Sequence, residues 1–130
     1  MGRGRDELKV GMMVEDPANV IRIEEFIEDL DFVSFGTNDL TQFTLAADRD
    51  NEKIQSLSWY GEANPAVVAS VKRVIRICKQ RGVETGICGQ APSDNPEFAR
   101  MLVEEGIGSI GVAPDRFLPT YRLVRKAEKN

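Results

Sequence analysis

Residues 31–51, DFVSFGTNDLTQFTLAADRDN, decide how this chain folds. Asp31 to Phe35 is a short apolar run of the kind that makes a buried strand. Gly36 breaks it and sets Thr37, Asn38 and Asp39 at the strand's end. The chain restarts as an apolar helix over Leu40 to Ala47 and closes on Asp48, Arg49, Asp50 and Asn51. A buried strand ending in a small residue, an amide and a carboxylate is how α/β proteins present ligand-binding groups.

The flanking sequence repeats this strand-to-helix switch. Leu8 to Val14 (LKVGMMV) reads as a strand that stops at Glu15-Asp16-Pro17, and proline belongs in a helix's first turn. From Asn19, the spacing Val20, Ile23, Phe26, Ile27, Leu30 predicts a helix. After a long polar connection over residues 49–64, Pro65 opens the strongest helix, which Gly82 terminates. Val83 to Cys88 is a third strand. Ser93 or Asp94 caps a helix running through Glu105, with Pro96 in its first turn. Gly108 to Ala113 is a fourth strand, and Pro119 to Lys129 a last helix. The order β-α-β-α-β-α-β-α, with strands that read as apolar runs rather than alternations, predicts a parallel sheet covered by helices. Residues 1–7 (MGRGRDE) read as a flexible tail, 8–118 as the α/β body and 119–130 as a C-terminal helix.

Composition narrows the function. The 130 residues are 42% hydrophobic and 29% charged, with a net charge of -4, so nothing favours nucleic acid as a partner. No apolar run approaches the roughly 20 residues of a membrane helix, and no signal-peptide core is present. Two cysteines, Cys78 and Cys88, suit a reducing, cytoplasmic setting better than a disulfide framework. The chain contains no histidine. That removes Ser-His-Asp and Cys-His pairs and the usual zinc sites. A metal would be held by oxygens, which suits Mg²⁺, or Mn²⁺ as the alternative.

Polar groups gather where the strands end: Glu15 after the first, Thr37-Asn38-Asp39 after the second, Cys88-Gly89-Gln90 after the third, Asp115 after the fourth. In a parallel barrel these exits share one face. Glu15 and Asp39, on neighbouring strands, either converge on one divalent cation or each cap the helix that follows. Cys88 is either a thiol acid/base at that face or a small hydrophobe. Arg49 is either a carboxylate or phosphate binder or a solvated ion-pair partner. Cys78, on the apolar face of its helix, belongs to the core. Trp59 and Tyr60 belong to a lid or an interface.

GTNDLTQFTLAADRDN, Met13-Val14-Glu15-Asp16-Pro17 and Gly86-Ile87-Cys88-Gly89 together resemble the motifs of the phosphoenolpyruvate-utilising enzymes in order and spacing, over nearly the whole chain. The stretch GICGQAPSDNPEFARMLVEEGI is similar to the phosphoenolpyruvate synthase branch; pyruvate phosphate dikinase and enzyme I of the sugar phosphotransferase system carry Cys-Gly-Glu where this chain has Cys88-Gly89-Gln90. The resemblance implies a half barrel, equivalent to the last four βα units of a TIM-type (β/α)8 barrel, that binds pyruvate or phosphoenolpyruvate with Mg²⁺. By that likeness Glu15 and Asp39 are the metal ligands, and Gly36, Thr37, Asn38 and Arg49 line the substrate site. Cys88 is the catalytic acid/base. The fourth-strand segment Gly108-Ser109-Ile110-Gly111-Val112 is less polar than its family counterpart.

The same resemblance implies that a phosphotransferase of the pyruvate, water dikinase type needs further parts. These are the first four barrel strands, a domain bearing the phosphohistidine and a nucleotide-binding domain, none of which this sequence contains. The 130-residue chain alone is expected to be inactive and to pair with itself as a homodimer or with the missing N-terminal half, because a half barrel leaves apolar edges open. The alternative expectation is an inactive module for Mg²⁺ and carboxylate binding or for dimerisation.

Overall fold

The computed structural model describes residues 8–129. Four parallel strands form one sheet in the order β1 (Gly11–Val14), β2 (Phe32–Gly36), β3 (Glu84–Cys88) and β4 (Ser109–Ile110). Strand order equals chain order, so each connection is a crossover that carries helices, the α/β arrangement the sequence predicts. The register pairs Val14 with Phe35, Gly36 with Cys88, and Ile87 with Ile110. The tail expected over residues 1–7 lies outside the described residues.

Period-two alternation divides the sheet into unlike faces. Val14, Val33, Phe35 and Ile87 point to the helices and are buried. They pack with Val20, Ile23, Leu40, Val67, Val71, Val74, Ile75, Cys78, Phe98 and Leu102 in one core. The opposite face shows Gly11, Met13, Phe32, Ser34, Gly36, Glu84, Gly86 and Cys88, all exposed or half-buried. The strands therefore alternate, contrary to the expectation of uniformly apolar runs. Helices cover one face, and the other faces the interior that a closed barrel would have.

The helices follow their punctuation with some differences. Asp16 accepts from Asn19 N–H at 2.9 Å, Asn19 Oδ1 accepts from Glu15 N–H at 3.2 Å, and Pro17 opens α1 (Pro17–Ile21). The single helix expected from Asn19 to Leu30 is broken at Arg22 (φ -106°, ψ 27°) into α1, α2 (Ile23–Phe26) and a 3-10 turn at Ile27–Asp29. Val20, Ile21 and Ile23 are β-branched and hold the helix weakly, while the kink still buries Val20, Ile23 and Ile27. β1 is shorter than Leu8 to Val14; just before it Asp31 takes Val10 N–H on its side chain at 2.7 Å, while Val10 O accepts from Asp31 N–H at 2.8 Å.

After β2, α3 (Thr37–Leu45) begins at Thr37 itself, so the expected turn at residues 37–39 is the helix's first turn. The connection over 49–64 contains α4 (Glu52–Gln55), capped by Asn51. α5 (Pro65–Arg81) keeps the expected limits: Asn64 accepts from Ala66 N–H, and Gly82 takes the left-handed φ of 70°. The expected helix from 93 or 94 is two, α6 (Ala91–Asp94) and α7 (Pro96–Glu105), because Asn95 accepts from Glu97 and Phe98 N–H and caps the second. β4 pairs over two residues only. Past them Gly111 N–H still reaches Ile87 O at 2.8 Å before a 3-10 turn at Pro114–Arg116 and α8 (Phe117–Ala127). Among the described residues no helix is long and apolar enough to cross a membrane.

Candidate functional site

Because the four strands are parallel, Glu15, Gly36 and Cys88-Gly89 leave the sheet at one end. Gly36 makes their approach close. A Cβ there would stand 2.8 Å from Glu15 Cγ and 3.0 Å from its Oε1. The glycine thus leaves the space in which the Glu15 carboxylate lies across the end of β2. Its other strand neighbour is Cys88, whose sulfur faces the open side, 3.8 Å from Ser34 Oγ and 3.9 Å from Phe35 O. These are weak sulfur contacts, and Cys88 is exposed. Its thiol borders a groove of about 570 Å³ on the open face, lined also by Phe32, Ser34, Gly86 and Ser109. Cys78, by contrast, is fully buried in the core, and burial pushes its thiol up to about 11.

The first turn of α3 contributes three groups. Asn38 is exposed. Asp39 Oδ1 is paired with Arg49 Nη1 at 2.9 Å. Arg49 is held from behind, its N–H on Gln42 Oε1 at 3.0 Å and its carbonyl accepting from Gln55 Nε2. Among the described residues no side chain caps the helix, so its first N–H groups and dipole leave positive potential at the end where Asn38 stands. Thr37 is buried, and its hydroxyl donates to Glu62 Oε1 at 2.8 Å. A Cβ on Gly89 would lie 3.6 Å from Thr37 Oγ1, so the exit of β3 abuts the same side chain.

The structure therefore brings Glu15 to Gly36, Gly36 to Cys88, Thr37 to Gly89 and Asp39 to Arg49. Among the described residues no group of three or more His, Cys, Asp or Glu side chains is arranged to hold a metal. Glu15 and Asp39 remain as two hard oxygen donors at adjacent strand ends. That donor set fits Mg²⁺, which binds through one or two carboxylates and keeps several waters.

Glu62 is a site neighbour that sequence reading missed. Burial raises its carboxyl above the usual range, opposed by the Thr37 hydrogen bond and reinforced by Asp94. Its only sequence signal is its place in a connection long enough to suggest a functional loop. Trp59 and Tyr60 precede it, their rings edge to face at 6.2 Å, with Asn64 Nδ2 donating to Trp59 O at 2.8 Å.

Residues 2–129 match the family model described as PEP-utilising enzyme, PEP-binding domain. The phosphoenolpyruvate synthase of Pyrococcus furiosus is 54% identical over 120 residues, 92% of this chain and 14% of that protein. That of Helicobacter pylori is 44% identical over 126 residues, 97% of this chain and 15% of that protein. The chain thus spans about a seventh of the length of these curated relatives. Among solved structures, the HpcH/HpaI aldolase from Desulfitobacterium hafniense DCB-2 superposes with a TM-score of 0.62 over 95% of this chain and 42% of that one. At 20% identity that likeness concerns the fold alone, which is of the TIM-barrel type.

Proposed function

The chain belongs to the PEP-utilising enzymes, as their PEP-binding domain, and on that premise we propose that it is the portion of a phosphoenolpyruvate synthase that holds pyruvate or phosphoenolpyruvate. The observation that carries this reading is the approach of Glu15 to Gly36, which gathers a carboxylate, a helix N-terminus and the Cys88 thiol at one end of the sheet. Glu15 and Asp39 would hold Mg²⁺. When bound, it stabilises negative charge on the substrate's oxygens. Arg49 and Asn38 receive the phosphate or carboxylate, and Gly36 and Thr37 line the site.

Toward phosphoenolpyruvate, the Cys88 sulfur takes a proton from the pyruvate methyl. The C–H electron pair becomes the C2=C3 bond, and the carbonyl π pair moves to oxygen. That oxygen attacks phosphorus while the N–P bond of a phosphohistidine breaks. In reverse, the thiol returns the proton to the methylene carbon. With no histidine among these 130 residues, the phosphohistidine lies outside them, and the chain alone does not turn over.

Calorimetric titration with oxalate, a stable mimic of the enolate, tests the reading. Binding is expected with Mg²⁺ and is lost without it or in Asp39→Ala; indifference to both would refute the site. A turnover assay with ATP and pyruvate should show nothing from the chain alone. The uncovered sheet face, with Met13 and Phe32 39% and 37% exposed, supports a second element of the reading. This face is covered by another copy of the chain or by the N-terminal half of the barrel.

A further inference from the structure

Thr37 and Glu62 join two segments that the sequence keeps apart. Thr37 opens α3 at the exit of β2, and Glu62 lies in the connection between α4 and α5. Their hydrogen bond, Oγ1 to Oε1 at 2.8 Å, links buried Thr37, in the first turn of α3, to the segment that carries Trp59 and Tyr60. A threonine hydroxyl has one proton. Donating it to Glu62 leaves Thr37 with only lone pairs to show toward Gly89, whose Cβ position is 3.6 Å away. An anion at this end of the sheet then finds its donors in Asn38, Arg49 and the uncapped N–H groups of α3, not in the Thr37 hydroxyl.

We propose that Glu62 is a positioning residue: through Thr37 it fixes the first turn of α3 and tethers the connection between α4 and α5 beside the site. The inference rests on the ligand reading above for its effect on binding, but the tether itself does not. The charged and titratable groups that face Glu62 agree with such a role. Asp94, from α6, raises its carboxyl further, and Tyr60, two residues away, senses its charge. Among the described residues no cation is ion-paired with Glu62, and the hydrogen bond from Thr37 compensates its partial burial.

Trp59 is the chain's one tryptophan, so its fluorescence reports this connection alone. In E62A and in T37V the anisotropy of Trp59 should fall as the connection loosens. In E62Q and T37S, which keep the acceptor and the hydroxyl, it should recover. The double variant E62A/T37V should fall no further than either single one, because both remove the same bond. Affinity for oxalate with Mg²⁺ should weaken by up to roughly tenfold in E62A, the size of one lost intramolecular hydrogen bond, and return in E62Q, which keeps the acceptor. If anisotropy behaves as expected but no variant nor the native chain binds oxalate, the tether stands and the ligand reading falls. If the native chain binds oxalate while E62A and T37V match it in anisotropy and affinity, the tether is overturned and the ligand reading stands. If E62A does not fold, the contrast between T37V and T37S decides the same question.

Discussion

Glu15 lies where the side chain of residue 36 would be: a Cβ on Gly36 would meet its Cγ at 2.8 Å, its Oε1 at 3.0 Å, and Met13 Cε at 3.2 Å. Gly36 has φ -98°, which alanine adopts without strain, so the glycine serves space rather than backbone freedom. Gly36→Ala should push the Glu15 carboxylate aside and weaken Mg²⁺-dependent oxalate binding by on the order of tenfold, as mispositioned ligands do. The obstructing atoms all belong to flexible side chains and none to the backbone, so the melting temperature should fall only modestly as Glu15 turns away from its Cγ contact. Calorimetry and thermal melting of the same variant check both halves. A variant that melts early would show that Gly36 is structural.

Arg49 and Asp39 are 2.9 Å apart with side chains 43% and 35% exposed. Solvent-screened pairs of this kind contribute at most about 1 kcal/mol to stability. Arg49→Ala should therefore change the melting temperature little. If Arg49 holds the ligand's anionic group, oxalate affinity should fall about ten- to hundredfold. A large loss of stability with unchanged affinity would assign Arg49 to the fold instead.

How much of this was legible in the sequence depends on the range of the interaction involved. α5 could be read to the residue because Asn64, Pro65 and Gly82 act within one helical turn of its ends. The break at Arg22 was invisible because Val20, Ile23 and Ile27 keep helical spacing across it. Uniform strand burial failed because residues such as Ser34, Gly86 and Cys88 belong to an inner face that apolar neighbours mask in a short run. The strand-end positions of Glu15, Asp39 and Cys88 followed from the strand-helix punctuation. Glu62 did not, since its hydrogen-bond partner Thr37 is 25 positions away.

The open face predicts association. Phe32 and Met13 are exposed there, and β1 and β4 are the sheet's edges. Sedimentation of the pure chain should show a dimer, and Phe32→Glu should shift it toward monomer by placing charge in the interface. A stable compact monomer at high concentration would overturn self-association.

The two thiols should separate chemically. Cys88 is exposed, whereas Cys78 is fully buried with its thiol pushed up to about 11. Thiolate is the reactive form, so iodoacetamide at neutral pH should add once to the native chain and twice in denaturant. Mass spectrometry should find the native adduct on Cys88, and oxalate with Mg²⁺ should slow its formation if ligand covers that sulfur. Native modification of Cys78 would mean that the core around α5 opens readily.

Two carboxylates should give stability opposite dependences on pH. Glu105 accepts from Arg76 Nε and Nη2, each at 2.7 Å, with Lys72 at 3.6 Å, and the Arg76 hydrogen bonds hold its carboxyl below the usual range. Its folded pKa is lowered, so its contribution is present above the unfolded value and is lost as pH falls through the folded one. Glu62 is raised, chiefly by burial, so its contribution is present below the unfolded value and is lost as pH rises through the folded one. Melting temperatures across about pH 3 to 7 should show a shallower acid loss in Glu105→Gln. High salt should shrink that difference, because Arg76 is 62% exposed. Glu62→Gln keeps the acceptor for Thr37 but no longer titrates, so relative to the native chain it should gain stability as pH rises toward neutrality. A Glu62→Gln chain that melts below the native one at neutral pH would mean that ionised Glu62 stabilises this fold, its hydrogen bond from Thr37 outweighing the cost of burial.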